Sequence, residues 1–339
     1  MTEITFSEQI QDKNIDLVGI GNAIVDIIVN VDDQFLKKYK LEKGSMNLID
    51  IEGSDKILRN CEVSKKVSGG SSANTVVSLA KLGNNVEFIG RVKNDYFGNF
   101  FSDNIKESGT SFNSKPVKSE ASSAHSIILI TPDAQRTMCT YLGASAEFEP
   151  NNINYASIRK SKFLYLEGYL WDSDLAKKAF LEAANIARES DTKIILSLSD
   201  SFCVDRHRNS FLDLIDEYID ILFCNESELK SLFTEDNIKN CINRIESLCE
   251  LVVVTLGNKG SIIVNEKKLI EVNPISTGQV IDTTGAGDIY AGGFIHGLIN
   301  NLPLKICGDI GSCFAGHIIT QLGSRSDINL HNLIKEYIN

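Results

Sequence analysis

Strand-like apolar runs alternate with helix-like segments along most of this 339-residue chain. Apolar runs such as 163–166, 193–198 and 251–256 are separated by amphipathic stretches such as 174–189. Strands that are apolar on both faces belong to sheets that helices cover on both sides. The alternation therefore predicts an α/β fold with a central, mostly parallel sheet flanked by helices.

Two regions do not follow this alternation. Residues 26–67 contain strand-like pieces, among them 45–49, and one short helix. Residues 125–141 are typical of a hairpin with Thr131-Pro132-Asp133-Ala134 as its turn. Parallel sheets need long crossover connections, which these strands do not have. We therefore expect a small β-sheet, a lid, built from about 26–67 and 118–142, within a single domain over residues 1–339.

The composition narrows the possible functions. The formal net charge is −11 and no run of Lys or Arg interrupts it, which argues against a nucleic-acid partner. No apolar run approaches the roughly 20 residues that a membrane span needs. The N-terminus is polar, without a signal peptide, and the eight cysteines form no C-x-x-C pair. We expect reduced thiols in a cytoplasmic protein.

Gly19-Ile20-Gly21 follows an apolar run and resembles the start of a dinucleotide-binding fingerprint. The third glycine of that fingerprint is missing, and residues 26–29 have the pattern of a strand where the fingerprint needs the N-terminus of a helix. The alternative is a strand end that brings Asn22 and Asp26 to a cleft. On this pattern alone, ordinary polar turn residues explain the two side chains equally well.

Two further segments are rich in glycine, and the second of them follows a predicted strand. In Ser68-Gly69-Gly70-Ser71-Ser72-Ala73-Asn74 the paired glycines let the backbone approach a ligand, and Asn74 lies early in a helix predicted over 72–82. Serine caps of that helix are the alternative. The turn that contains Thr255, Gly257 and Gly260 either presents backbone amides to a phosphate or is a plain tight turn.

Asn225-Glu226-Ser227-Glu228 follows a strand predicted over 219–224. Ligands of parallel sheets bind at the carboxyl ends of the strands. The side-chain oxygens of Asn225 and Glu228 suit a hydrated Mg²⁺. The same spacing is that of a capping box, and the two interpretations are compatible.

The segment Asp282-Thr283-Thr284-Gly285-Ala286-Gly287-Asp288 ends in a carboxylate, although a glycine-rich helix start favours anions. If the N–H groups of Gly285, Ala286 and Gly287 bind a phosphoryl group in transfer, Asp288 can accept the proton of the attacking hydroxyl. The alternative is a helix-entry turn in which Asp288 stabilises the helix dipole.

In their order along the chain, these motifs resemble those of the ribokinase-like (PfkB) family of small-molecule kinases. Gly69-Gly70-x-x-x-Asn74 with Gly83, Gly90, Asp95 and Gly98 is similar to the first signature of that family, and Asp282 to Asp288 is similar to the second. The resemblance implies a ribokinase-like fold, ATP as co-substrate, and Mg²⁺ held through water by Asn225 and Glu228. The resemblance leaves open whether a monovalent cation binds near Asp282 and whether the protein is a monomer or a homodimer.

Within that family the chain looks most similar to adenosine kinases and their bacterial relatives, on Gly19-Ile20-Gly21-Asn22-x-x-x-Asp26-Ile27 above all. This resemblance implies phosphorylation of the 5′-hydroxyl of adenosine; a ribose- or fructose-type sugar kinase and a catalytically silent binding protein are the alternatives. It implies that Asn22, Asp26, Gly69, Gly70, Ser71 and Asn74 bind the acceptor, that Met138, Leu142 and Tyr169 line a base pocket, that Arg136 neutralises phosphate charge, and that Asn225, Thr255, Gly257, Gly260 and Asp282 bind ATP.

Overall fold

The structure is a computed structural model that describes residues 13–133, 135–325 and 329–337. Its strands are β1 (Ile15–Ile20), β2 (Ile24–Asn30), β3 (Met46–Leu48), β4 (Val63–Gly69), β5 (Val86–Ile89), β6 (Ala124–Ile130), β7 (Arg136–Tyr141), β8 (Ser161–Glu167), β9 (Lys193–Ser197), β10 (Ile221–Asn225), β11 (Leu251–Thr255), β12 (Ser261–Asn265) and β13 (Lys268–Val272). Its α-helices are α1 (Asp33–Tyr39), α2 (Ile51–Leu58), α3 (Ser71–Lys81), α4 (Tyr96–Glu107), α5 (Tyr155–Arg159), α6 (Asp174–Glu189), α7 (Ser201–Tyr218), α8 (Glu226–Phe233), α9 (Ile238–Ile245), α10 (Ala286–Ile299), α11 (Leu304–Ile318) and α12 (Leu330–Tyr337).

The larger sheet has eight strands in the order β13-β12-β11-β10-β9-β8-β1-β5. In this sheet β11, β10, β9, β8, β1 and β5 pair in parallel, each with the next in this order. At the edge opposite β5, β12 pairs antiparallel with β11, and β13 pairs antiparallel with β12. Successive residues of β8 point to opposite faces: Tyr165 packs in the cluster that contains Phe294 of α10, and Leu166 in the one that contains Phe180 of α6. Because helices cover both faces, the strands are apolar throughout, and the predicted α/β architecture is confirmed.

The smaller sheet has five strands in the order β3-β7-β6-β2-β4, and β6 and β7 form the predicted antiparallel hairpin. The last residue of the predicted turn, position 134, lies outside the described residues. The prediction of one helix between β2 and β4 is wrong, since α1 and α2 both occur there. Each begins at its own aspartate cap, because Asp32 accepts the Phe35 N–H and Asp50 accepts the Gly53 N–H.

The amphipathic residues 206–218 predict a helix. Helix α7 begins earlier, at Ser201, because the Asp200 side chain accepts the N–H groups of Phe202 and Cys203. All eight cysteines lie within the described residues and are free; Cys61 is partly exposed and the other seven are buried. No helix in the described ranges has the length and apolar character to cross a membrane.

Candidate active site

Three of the predicted site residues lie at the carboxyl edge of the parallel strands of the larger sheet. Asn22 follows β1, Asn225 ends β10, and Thr255 ends β11 as the register partner of Asn225. Helices α3 and α10, which carry the two glycine-rich motifs, pack against one another at this edge. The fold therefore brings together motifs that are more than 200 residues apart, as in the Asn74–Asp288 contact.

The start of α10 is shaped by Gly285, which has a left-handed φ of +75°. A Cβ atom at this position would lie 2.4 Å from the Cβ atom of Ser324. A side chain is therefore excluded both by backbone conformation and by space. Around Gly287, by contrast, no heavy atom of the described residues beyond its chain neighbours and the backbone of its own helix lies within 4 Å of a Cβ position, so the turn is open on that side.

Asp288 is held by two residues of α3. The Ser71 hydroxyl donates to its Oδ1 atom at 2.6 Å, and the Asn74 amide donates to its Oδ2 atom at 3.0 Å. Burial raises the pKa of Asp288 to about 6, although these hydrogen bonds and Arg325 oppose the shift. A carboxyl group with a pKa near neutrality, fixed by two donors, has the properties of a general base.

Asp26 lies on β2 beside Gly69 of the neighbouring strand β4. A Cβ atom on Gly69 would lie within 2.8 Å of three carboxyl atoms of Asp26, so only glycine leaves room for this carboxyl group. Burial raises the pKa of Asp26 to about 7, while the charges of Arg325 and Arg136 lower it. Gly70, the next residue, is required for a different reason. It has a φ of +102°, and a Cβ atom there would meet the Asn22 carbonyl oxygen at 2.2 Å.

Glu167, the last residue of β8, belongs to the site although it was not predicted. Its Oε1 atom accepts the Asn22 backbone N–H at 3.2 Å and the Asn22 amide at 2.8 Å, and its Oε2 atom accepts the Ser72 N–H at 2.8 Å. The side chain is buried, and burial raises its pKa to about 7. Glu167 thus connects the end of β1 with the start of α3. Its position at the carboxyl end of an apolar strand was the available sequence signal.

Arg136 starts β7 in the smaller sheet, and its Nη2 atom lies 2.5 Å from Oδ2 of Asp282. Asp282 also accepts the N–H groups of Thr284 at 3.0 Å and Gly323 at 2.8 Å. The Nε and Nη1 atoms of Arg136 are buried and have no hydrogen-bond partner in the described part of the chain. The ion pair places a guanidinium group with unused donors beside the start of α10.

Arg325 is a second arginine at the site, and the sequence motifs gave no sign of it. Its Nε atom donates to Oδ1 of Asn74 at 3.3 Å, and its charge lowers the pKa values of Asp26 and Asp288. It follows the glycine and serine that contact Asp282 and Gly285.

Asn225 and Glu228 form the capping box of α8. Asn225 Oδ1 accepts the Glu228 N–H at 2.8 Å, while the two Glu228 oxygens accept from the Asn225 N–H and amide. Glu228 is buried, and burial raises its pKa to about 7. No group of three or more His, Cys, Asp or Glu side chains among the described residues is placed to hold a metal ion. One carboxylate with unused lone pairs fits Mg²⁺ that keeps several waters and binds substrate phosphates.

The turn after β11 is a short 3₁₀ segment, Gly257–Lys259. Gly257 and Gly260 have φ values of +60° and +88°, and a Cβ atom on Gly260 would meet the Val272 carbonyl oxygen at 2.0 Å. Both glycines are thus needed for the turn, which accounts for them without a ligand. Thr255 remains partly exposed at its edge.

The three residues assigned to a base pocket lie on separate elements. Met138 of β7 packs against Ile28, Ile128 and Ile130 on one face of the smaller sheet. Leu142 follows the end of β7, and Tyr169 lies in the 3₁₀ turn after β8 with 37% of its surface exposed. Trp171 of the same turn is buried and stacks on Phe211, so its role is in the core.

Comparison with known proteins gives a consistent result. The model of the family described as pfkB family carbohydrate kinase matches residues 43–330. A probable sugar kinase from Rhizobium etli CFN 42 is 38% identical with a TM-score of 0.89, covering 96% of this chain and 98% of that one. The adenosine kinase from Sinorhizobium meliloti is 37% identical with a TM-score of 0.89, covering 95% and 99%. The adenosine kinase of Saccharomyces cerevisiae is 25% identical over 336 residues, 91% of this chain and 95% of that protein. These matches confirm the ribokinase-like fold, while the acceptors of the relatives differ.

Proposed function

We propose that this chain, which belongs to the pfkB family of carbohydrate kinases, transfers the γ-phosphate of ATP to the 5′-hydroxyl of adenosine and releases AMP. The observation that carries the proposal is the position of Asp288, fixed by Ser71 and Asn74 at the start of α10. The similarity to two adenosine kinases over more than 90% of the chain supports the acceptor.

In the proposed reaction Asp288 accepts the proton of the attacking hydroxyl. The hydroxyl oxygen forms a bond to the γ-phosphorus as the bond to the bridging oxygen of ADP breaks. The N–H groups of Gly285 and Gly287 and the unused donors of Arg136 stabilise the charge on the transferred group. The Ala286 N–H, which donates to the Thr283 carbonyl oxygen at 3.2 Å, would have to exchange that bond for one to the phosphoryl group. A base with a pKa of about 6 is ionised at neutral pH and still basic enough to take the proton.

The acceptor site is proposed between the two sheets. Asp26 extends from β2, next to Gly69, and its carboxylate can accept hydrogen bonds from two ribose hydroxyls. The smaller sheet, which carries Asp26, Arg136 and Met138, is proposed as the lid over this site. Since Glu167 accepts one N–H of the Asn22 amide, the Oδ1 atom and the second N–H of that side chain are left for the acceptor.

The ATP site is proposed at the ends of β10 and β11, where Asn225 and Thr255 are neighbours. Asn225 and Glu228 would hold Mg²⁺ through water molecules. The ion neutralises charge on the phosphates when it is bound. Above its pKa of about 7, Glu228 supplies a buried negative charge for this purpose.

A sugar kinase is the second candidate, because the probable sugar kinase from Rhizobium etli is as similar in fold as the adenosine kinase from Sinorhizobium meliloti. The deciding experiment measures kcat/KM with ATP for adenosine, inosine, guanosine, ribose and fructose. The proposal expects adenosine to have the highest value. Turnover of ribose or fructose with inert adenosine would establish the sugar kinase instead.

A further inference from the structure

We infer that Arg325 is a positioning residue of the reaction centre: it orients the Asn74 amide that holds Asp288, and its buried positive charge acts on Asp26 and Asp288. The inference rests on the proposed function, in which Asp288 is the base. Neither glycine-rich motif contains Arg325, although it lies within residues 43–330, which the family model matches.

Three successive residues, 323 to 325, contact three parts of the site. The Gly323 N–H donates to Asp282 at 2.8 Å, and Ser324 lies against Gly285, where a Cβ atom would come within 2.4 Å. Arg325 then reaches Asn74. Its backbone is held as well, because the Gln321 amide donates to the Arg325 carbonyl oxygen at 2.9 Å. The guanidinium group is therefore carried by a fixed segment.

The contact with Asn74 determines which way the amide faces. An amide has one accepting and one donating end, and only its NH₂ group can donate to the Asp288 carboxylate. Arg325 Nε has a proton to donate and no lone pair to offer, so it binds the oxygen end. With Oδ1 held by Arg325, Nδ2 is left facing Asp288, at 3.0 Å. A reversed amide would lose both hydrogen bonds.

The charge of Arg325 balances an acidic surrounding. Asp288 acts electrostatically on Asp26, Glu167 and Glu228, and also on the hydroxyl groups of Tyr165 and Tyr169. Arg325 acts on both Asp26 and Asp288, whereas Arg136 acts on Asp26 and Asp282. Burial lowers the pKa of Arg325 to about 10, which leaves it positive at neutral pH.

Arg325 differs from a buried arginine with a purely structural role. Arg91 is paired with two carboxylates, Glu147 at 2.8 Å and Glu149 at 3.1 Å. Arg325 forms no ion pair with a carboxylate of the described residues, and its Nη2 atom, like the Nε atom of Arg91, is buried there without a hydrogen-bond partner. The Nε hydrogen bond of Arg325 goes to the Asn74 amide, which itself binds Asp288. This arrangement orients a polar group and leaves the positive charge of Arg325 to act on the carboxylates.

The test is the pH dependence of kcat/KM, measured with the acceptor that gives the highest turnover. The acidic limb of this profile is the range in which kcat/KM rises with pH as Asp288 becomes ionised. In Arg325→Met this limb is expected to move up by on the order of one pH unit, because removing a positive charge raises the pKa of Asp288. Turnover near pH 6 then falls about fivefold more than turnover near pH 8.5, because the ionised fraction of the base at pH 6 drops from about one half to about one tenth. Arg325→Lys keeps the charge, so its limb stays in place while kcat falls through the lost Asn74 contact. Arg91→Met is the matched control: it should have a lower Tm, but the acidic limb of its pH profile should coincide with that of the wild type.

Circular dichroism establishes that each variant is folded. A folded Arg325→Met enzyme whose acidic limb coincides with that of the wild type would overturn the charge role, and wild-type kcat in Arg325→Lys would overturn the orienting role. Failure of the proposed function has a different signature. An Asp288→Asn enzyme that stays active would show that Asp288 is not the base, whatever Arg325 does. Inactive Asp288→Asn with an unmoved limb in Arg325→Met overturns the role of Arg325 and leaves the proposed reaction standing.

Discussion

Arg136 of the smaller sheet forms a buried ion pair with Asp282, six residues before Asp288, at 2.5 Å. The exposed fractions of the two side chains are 10% and 2%. The pair therefore connects the sheet that carries Asp26 with the segment that carries the proposed base. A phosphate that binds Arg136 must share the guanidinium group with Asp282, whose other contacts are backbone N–H groups.

Replacing Arg136 by Met is expected to reduce kcat by on the order of 10²-fold or more, because a donor to the transferred phosphoryl group is lost. It also leaves Asp282 buried without its cation, and breaking a buried pair costs about 3–5 kcal/mol. Steady-state kinetics and urea unfolding measure the two effects. Arg136→Lys, which keeps the charge, should recover part of each. Wild-type kcat in a folded Arg136→Met enzyme would contradict the phosphate role.

Asp288→Asn tests the base. The amide has the same shape but cannot take the proton of the attacking hydroxyl, so kcat should fall on the order of 10²-fold or more. The fold and the affinity for ATP should change little, as judged by circular dichroism and calorimetric titration. Near-normal turnover would exclude Asp288 as the base.

Asp26→Ala tests the proposed clamp on the ribose hydroxyls. Leaving buried hydroxyls of the acceptor unpaired costs roughly 1–3 kcal/mol, and a misplaced attacking oxygen lowers the rate further. We expect a higher acceptor KM and a lower kcat, with ATP affinity unchanged. Deoxyadenosine, which lacks one hydroxyl, should distinguish wild type from variant less than adenosine does. Loss of ATP affinity with an unchanged acceptor KM would count against the clamp.

Glu228→Gln separates metal binding from helix capping. If Glu228 holds Mg²⁺ through water, the variant needs a higher Mg²⁺ concentration for half-maximal rate, with little change in acceptor KM. If it only caps α8, the effect is a lower Tm, since a cap contributes about 1 kcal/mol. Two controls fit the comparison. Glu226→Gln removes a neighbouring carboxylate that pairs with Lys230, and Asn237→Ala removes the cap of α9. Neither should change the Mg²⁺ dependence.

Glu167→Gln tests the connection between β1 and α3. Its amide NH₂ group would face the Ser72 N–H, and two opposed buried donors cost about 1–3 kcal/mol. We expect a lower Tm together with a higher acceptor KM, because Asn22 loses its fixed position. The matched control is Glu87→Gln, which changes a buried glutamate that accepts from Ser157 and Asn154. It should lower the Tm without changing the acceptor KM.

The same variant has a signature in pH. The pKa of Glu167 is raised from 4.5 to about 7, so within this window the folded chain holds a proton that the unfolded chain has released. The free energy of unfolding from this group therefore falls as the pH rises from about 4.5 to about 7. Unfolding in urea at several pH values measures the slope. An equal slope in wild type and Glu167→Gln would show that Glu167 is ionised throughout.

The alternation of apolar strands with amphipathic helices was sufficient to predict the larger sheet, because each of those elements is specified by its own local pattern. The carboxyl-end rule for parallel sheets then placed Asn22, Asn225 and Thr255 at one edge, as the structure has them. The separate starts of α1 and α2 were missed, although Asp32 and Asp50 are ordinary capping residues.

The connecting residues could not be predicted. Glu167 reaches Asn22 across 145 positions, and Arg325 reaches Asn74 across 251. A glutamate at the end of an apolar strand, or an arginine after a serine, is also common on a protein surface. Only the packing of β1, β8, α3 and the segment before α12 makes these two side chains partners of the site.

The uneven burial of the thiols makes the wild-type enzyme suited to optical measurement. Cys61, just beyond α2, is the partly exposed cysteine, and Trp171, the single tryptophan of the sequence, is buried beside α6 and α7. An acceptor dye on Cys61 would report its distance from the indole through energy transfer. Cys61 lies just before β4 of the smaller sheet and Trp171 just after β8 of the larger one, so the signal follows the separation of these two segments as ATP and the phosphoryl acceptor are added, without a single engineered residue.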